Sequence, residues 1–270
     1  MNSTFKMLKA NEQADLTETT NTITSIGFTN NALRNLDTKQ SYQKVLRLIA
    51  HKKMGISVAT KVGMESELVE DARQGARYGS PIDYTLPGPT KLGNPKIYDQ
   101  EVTSLALPEM LNWGQSFVER GLKHHKDIQT TIIFKREEQH FSLCNTEGFS
   151  ASYGSTYLSV LLGLNLTEEK NFIDTFDFHI STHLDLLPLE DIIKGLFTFF
   201  DLARINVKVP AGNYQVLFTP SIVANIMSPI LACLNGQAIV QGLSPWQNKL
   251  GSLIFNKDIT IINDGLLDKG

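Results

Sequence analysis

The side chains here with the widest chemical range are six histidines and two cysteines, and spacing decides what they can do. His179 and His183 stand four apart, which lets two imidazoles share a metal on a helix, where four residues make about one turn. Their neighbours, Phe178-His179-Ile180-Ser181-Thr182-His183, are β-branched. In a strand the same spacing separates the side chains by roughly 13 Å, beyond the reach of one ion, so the metal site is the less favoured reading. His124 and His125 are adjacent, face different directions and precede Lys126-Asp127, which suits the end of a helix, where protonatable groups satisfy its last carbonyls. Cys144 and Cys233 are far apart and in no Cys-x-x-Cys arrangement, which indicates neither a disulfide framework nor a zinc ribbon. No phosphate-cradling glycine loop and no serine-hydrolase elbow occurs.

The background to these residues is an ordinary globular one. In 270 residues, 41% are apolar and 20% charged, and 25 basic against 28 acidic side chains leave a net charge of -3. A chain this long buries a sizeable core without disulfides or metals. With no concentrated basic run, direct binding to nucleic acid is disfavoured. The opening MNSTFKMLKANEQ has no apolar core of a leader, and the longest apolar candidate, Ser221 to Cys233, is broken by Asn225 and Ser228-Pro229, short of a membrane span. A cytoplasmic, reducing location is expected.

The elements that must position any site read as α+β. Alternating segments between Asp15 and Thr60 predict strands with turns at Thr29-Asn30-Asn31 and His51 to Gly55. Glu65 to Tyr78 carries Leu68, Val69, Ala72 and Ala76 at helical spacing. Four prolines and two glycines between Gly79 and Tyr98 predict a linker. Pro108 opens a helix to about Leu122; Ile128 to Phe134 and His140 to Asn145 read as a hairpin turning at Arg136 to Gln139. Tyr153 to Leu166 and Asn171 to His183 are β-prone. Leu189 to Ala203, apolar on nearly every side, reads as a helix buried between layers. Tyr214 to Phe218 reads as a short strand. These give an N-terminal βα domain over 1–86, an antiparallel or mixed meander with helices; a linker over 87–107; a central αβ domain over 108–209; and the start of a third, mostly β domain over 210–270.

The most specific segment is the last, with Tyr214-Gln215-Val216-Leu217-Phe218-Thr219-Pro220, Gly236-Gln237-Ala238, Ser244-Pro245-Trp246, Lys249-Leu250-Gly251 and Asn263-Asp264-Gly265. Its order of strand, helix and spaced glycines resembles the TldD/PmbA family, whose members are called modulators of DNA gyrase and are associated with peptide processing. Earlier segments are similar too: Asp15 to Thr60 to the family's N-terminal strands, Cys144-Asn145-Thr146-Glu147-Gly148 to its Asn-Ser-x-Gly turn, and Leu189 to Ala203 to its central helix. In the family a further large, mostly β portion follows Asn263-Asp264-Gly265, so the resemblance implies a truncated third domain, from a fragment or a natural short form.

The resemblance also carries a departure. Catalytic TldD-type members have His-Glu-x-x-x-His on the helix after the proline, two zinc ligands and a glutamate base. The corresponding residues here are Ser228, Pro229 and Cys233. One thiolate offers neither a second ligand nor a base. That pattern resembles the PmbA, or TldE-like, branch, which lacks the metal site. The implied function is a non-catalytic subunit, with no catalytic or metal residues and no cofactor, that pairs with a TldD-type zinc metallopeptidase or with itself and helps hold unfolded peptides. The alternative is a stand-alone regulatory binding protein of the gyrase-modulator kind. Ser244, Pro245, Trp246, Leu250 and Gly251 are the candidate peptide or partner contacts, with Trp246 as an aromatic anchor stiffened by Pro245. A plain apolar core helix is the simpler account of Ser221 to Leu234, and it too predicts no metal.

Overall fold

A computed structural model describes residues 3–168, 171–205 and 207–269, the side chain of Ser221 excepted. Six strands, β1 (Gln13–Thr29), β2 (Ala32–Ala50), β3 (Lys53–Ala59), β4 (Gln129–Asn145), β5 (Ser150–Glu168) and β6 (Asn171–Ser181), form one sheet in the order β3-β2-β1-β4-β5-β6. Every pairing is antiparallel. The expected turn at Asn30-Asn31 is present, and the one expected over His51 to Gly55 is confined to His51-Lys52, because Lys53 to Gly55 pair with β2 as the start of β3. Asn30 and Asn31 have φ of 51° and 63°, and His51 and Lys52 have 51° and 59°, the positive pair that a two-residue hairpin loop uses to match strand twist. Asn31 adds a clamp: its carboxamide accepts from the Thr130 amide at 2.8 Å and donates to the Ile128 carbonyl at 2.7 Å, fastening the β1–β2 loop to the start of β4.

All the packing helices of this sheet lie on one of its faces, because even-numbered positions of β1 and β4 point the same way along the pleat. Helix α1 (Glu65–Tyr78) covers β2 and β3, where Leu16, Leu46 and Leu48 meet Leu68, Val69, Ala72 and Ala76. The contact is so close that a Cβ on Gly55 would sit 1.9 Å from the Ala72 carbonyl oxygen and 2.3 Å from the Ala76 nitrogen, so this position of β3 requires glycine. After the short α2 (Gln100–Ser104), α3 (Leu107–His124) and α4 (Leu189–Ala203) cover β4 to β6. Their core joins Phe117, Ile132, Phe134, Leu162, Leu196 and Phe200, all at most 2% exposed.

The structure corrects several expectations. Residues 129–145 are one strand rather than a hairpin: the polar run at Arg136 to Gln139 is held in the ladder between β1 and β5. Arg136 donates to the Thr103 and Leu105 carbonyls and Glu137 accepts from Asn21, which is why charge there does not break the strand. Helix α4 is not buried between layers; Ile192, Ile193, Leu196 and Phe200 are covered while Phe199 and Leu202 are 59% and 61% exposed. The expected linker over 87–107 holds α2 and the start of α3, and the sheet runs across it, since β1 pairs with β4. It separates no cores, because adjacency in sequence does not report strand pairing between distant segments.

Two compact units are resolved, Met1–Asn206 with Gly265–Gly270, and Val207–Asp264. The second holds α5 (Pro220–Ala232) and α6 (Gly236–Val240). Tyr214 to Phe218 is not the expected strand, and no strand is present in this unit among the described residues. A strand needs a paired neighbour, and this segment has none.

Candidate functional site

The second unit contains every residue singled out for function, and its geometry starts from α5. Pro220 occupies the first helical position, where its missing N–H costs nothing. Pro229 lies within the helix and can donate no hydrogen bond to the turn before it. Ser228 and Pro229 are exposed and Cys233 is half-buried at the helix C-cap, its amide donating to the Ile230 carbonyl at 3.1 Å and the Pro229 carbonyl at 3.3 Å. Ile222, Val223, Ile226 and Leu231 are 42–46% exposed, so α5 is not the buried core helix that its composition suggests.

Ser244, Pro245, Trp246, Leu250 and Gly251 fall in the loop after α6, and part of that loop is brought to the end of α5. The Ser244 hydroxyl donates to the Cys233 carbonyl at 2.7 Å and accepts from the Trp246 amide at 3.1 Å. Ser244 is therefore a buried brace, one of the few covered residues of this unit. Trp246 is half-buried against Phe255, ring centroids 5.7 Å apart and nearly perpendicular. Gly242 and Gly251 have φ of 72° and 75°, which explains the glycine at both ends of the loop. Leu250 and Pro245 stand in solvent, Leu250 fully so. Of the five proposed contacts, Leu250 and Pro245 present surface, Trp246 is shared, and Ser244 is turned inward.

These residues do not make a metal centre. Ser228 and Pro229 offer no thiolate, imidazole or carboxylate, and among the described residues no three His, Cys, Asp or Glu side chains converge. The family's zinc therefore does not fit the residues present. His179 lies on β6 beside Asp177 at 3.1 Å, whereas His183 lies beyond the strand against Thr182; they do not face a common point. His124, the last residue of α3, meets Asp201 at 2.7 Å and the Phe197 ring at 5.0 Å, a link between α3 and α4 rather than a catalytic dyad. Sequence reasoning missed an ion pair at the other end of the sheet, where Arg73 grips Glu12 through Nε and one terminal nitrogen at 2.7 and 2.9 Å. That grip holds the Glu12 carboxyl below the usual carboxylate range, beside a cavity of about 440 Å³ lined also by Lys9, His51, Lys53 and Arg77. The two residues are remote in sequence and carry no motif.

Comparison with known proteins bears most directly on the second unit. Residues 211–270 match the model described as the PmbA/TldA metallopeptidase C-terminal domain. That match shows residues 211–270 to be similar to this domain of the TldD/PmbA family. Solved structures of similar fold include a candidate modulator of DNA gyrase from Bacteroides thetaiotaomicron, with TM-score 0.82, 21% identity, and coverage of 95% of this chain and 61% of that one. Another from Thermotoga maritima gives 0.81 and 15%, covering 91% and 57%, and TldE from Thermococcus kodakarensis gives 0.74 and 18%, covering 88% and 55%. An uncharacterized protein of Methanocaldococcus jannaschii is 21% identical over 248 residues, 90% of this chain and 56% of its own length. The chain thus spans about 55–61% of the length of these proteins. At such identities the structural likeness establishes the fold.

Proposed function

We propose that this chain is a non-catalytic, PmbA/TldE-like subunit that pairs with a TldD-type zinc metallopeptidase and helps hold unfolded peptide. What supports this reading is α5: residues 211–270 are similar to the family's C-terminal domain, and where the resemblance implies the peptidase's His, Glu and His this chain has Ser228, Pro229 and Cys233. Amide hydrolysis of that kind requires an activated water and stabilisation of the developing oxyanion, and this helix supplies groups for neither. Leu250, Pro245 and the exposed side of Trp246 are the contact surface of the loop. The outer edge of β6 adds a place where an extended peptide can pair through its backbone with little regard for sequence. Work in the cytoplasm, against unfolded chains and without a cofactor or nucleic acid, completes the reading.

The second reading is a stand-alone regulatory binding protein, favoured by the two similar structures described as candidate modulators of DNA gyrase. Zinc stoichiometry tests the absence of a metal centre. After exhaustive dialysis the purified chain is expected to hold far less than one zinc. Stoichiometric, chelator-resistant zinc would contradict both readings.

A further inference from the structure

The cavity beside the Glu12 and Arg73 pair gathers positive charge from three stretches remote in sequence. Lys9 comes from the segment ahead of β1, His51 and Lys53 from the β2–β3 turn, and Arg73 and Arg77 from the second half of α1. The fold fixes this meeting. The Lys9 amide donates to Glu12 at 2.9 Å and the Glu12 amide to the Lys9 carbonyl at 3.0 Å, closing a turn that Arg73 clamps from α1. Gly55, two residues beyond Lys53, brings β3 against the backbone of the same helix.

Most buried or half-buried cations of this chain already have a carboxylate: Lys44 has Glu18 and Glu65, and Arg47 has Asp15. At the cavity, among the described residues, Lys9, Lys53 and Arg77 join no ion pair. Arg73 is engaged by Glu12 and Glu70, both at 2.7 Å. With both glutamates counted, the four lysines and arginines leave two positive charges in excess around about 440 Å³. Lys53 is half-buried, and its ammonium donates to the Arg77 carbonyl at 3.3 Å, which leaves two of its three N–H donors for something else. That bond, with Arg77 in the last turn, also offsets the negative end of the α1 dipole.

We propose that this cavity binds a phosphorylated small molecule, its phosphate held by Lys9, Lys53 and Arg77 with His51 as a further donor, and its organic part against Ala50 and Ala76. A phosphate ester carries about -1.5 to -2 at pH 7 and three strong acceptor oxygens. That charge matches the excess, where a single carboxylate would leave a cation uncompensated. The planar guanidinium of Arg77 suits phosphate oxygens taken two at a time. The volume exceeds what a bare phosphate fills and lies toward the lower end of the roughly 300–1,000 Å³ of small-molecule clefts, which points to a sugar phosphate or a mononucleotide. A nucleic acid backbone would instead call for a basic track longer than one cavity. The cavity is lined wholly by residues of the first unit, and the proposal is independent of the peptidase reading.

Calorimetric titration of the 270-residue chain near pH 7.5, in about 0.1 M salt to screen loose surface binding, tests it with four probes: ribose 5-phosphate, adenosine monophosphate, inorganic phosphate and succinate. At least one organic phosphate should saturate a single site with a Kd of about 10 µM to 1 mM. Inorganic phosphate should bind about 5-fold or more weakly than that, and succinate more weakly still. Lys9→Gln and Arg77→Gln should each weaken the organic phosphate by about 5- to 10-fold, and together by about 30-fold or more. Lys61→Gln, at an exposed lysine between β3 and α1, should leave it unchanged. Both substituted cavity residues are exposed, and circular dichroism reports whether the variants fold; if they do not, amide shifts of the native chain on titration decide, with changes expected at Lys9, His51, Lys53 and Arg77. Absence of saturation by either organic phosphate below about 10 mM, binding indifferent to both cavity substitutions, shifts centred elsewhere, or succinate binding as tightly as the phosphates overturns the proposal.

Discussion

Replacing Arg73 by Met removes a charge from the α1 face while keeping much of its volume, and isolates a carboxylate the fold has buried. Glu12 has a side chain 4% exposed, against 15% for Arg73. In the variant Glu12 keeps only the Lys9 amide at 2.9 Å. Breaking a buried pair from one side costs about 3–5 kcal/mol. Because Arg73 is not fully covered and also contacts Glu70 at 2.7 Å and the Met7 carbonyl at 3.2 Å, the lower end, about 3 kcal/mol at pH 7, is expected. The pH dependence follows from Glu12, whose folded pKa is depressed with the Arg73 hydrogen bond as the main cause. A depressed carboxylate contributes stability that is fully present above its unfolded value, near 4.3, and lost as pH falls through the folded value. In the variant the stranded carboxylate takes up a proton instead. The gap between native and Arg73→Met chains should therefore be widest at neutral pH and shrink below pH 4. Urea unfolding followed by far-UV circular dichroism at pH 7, 5 and 3.5 measures it. A gap under about 1 kcal/mol at pH 7, or one unchanged at pH 3.5, refutes the assignment of Glu12 and Arg73 as a buried, mutually dependent pair.

Gly55→Ala forces a methyl group into the α1 backbone and should cost about 3 kcal/mol or more, seen as a melting temperature lower by roughly 6–12 °C; a loss under 2 °C would show that α1 does not sit against β3 as described. Residues Pro87 to Asn94 are exposed between two anchors, the buried Leu86 and the Thr156 amide bond to the Ile97 carbonyl at 3.0 Å. Limited trypsin digestion should cut early after Lys91 and leave the sheet protected, whereas first cleavage within β4 would argue against the single continuous ladder.

Local rules made part of this fold legible and long-range pairing hid the rest. Thr29-Asn30-Asn31 announced a turn because asparagine tolerates positive φ, the turn read over His51 to Gly55 narrows to His51-Lys52 with Gly55 in β3, and α1 was readable from Leu68, Val69, Ala72 and Ala76 on one face. The Arg136 to Gln139 run looked like a turn because charge in isolation favours one. Only the flanking β1 and β5 show that it is strand interior. Likewise Phe172, Phe176, Phe178 and Ile180 alternate visibly, yet their exposure depends on β6 being an edge strand with α4 packed against its other face. At the site, the replacement of ligating residues by Ser228, Pro229 and Cys233 was plain from residue type. The inward turn of Ser244 onto the Cys233 carbonyl was not, since it closes a loop over the intervening α6.

The central claim, that peptide hydrolysis associated with this chain belongs to a partner, is tested most directly by cleavage of an unstructured peptide. Three samples are compared, this chain, a TldD-type subunit bearing His-Glu-x-x-x-His, and their mixture, each with zinc and with a chelator. The account predicts no turnover by this chain alone and chelator-sensitive cleavage when the partner is present, strengthened by the mixture. Robust turnover by this chain alone, surviving repurification and Ser228→Ala or Cys233→Ala, would contradict it.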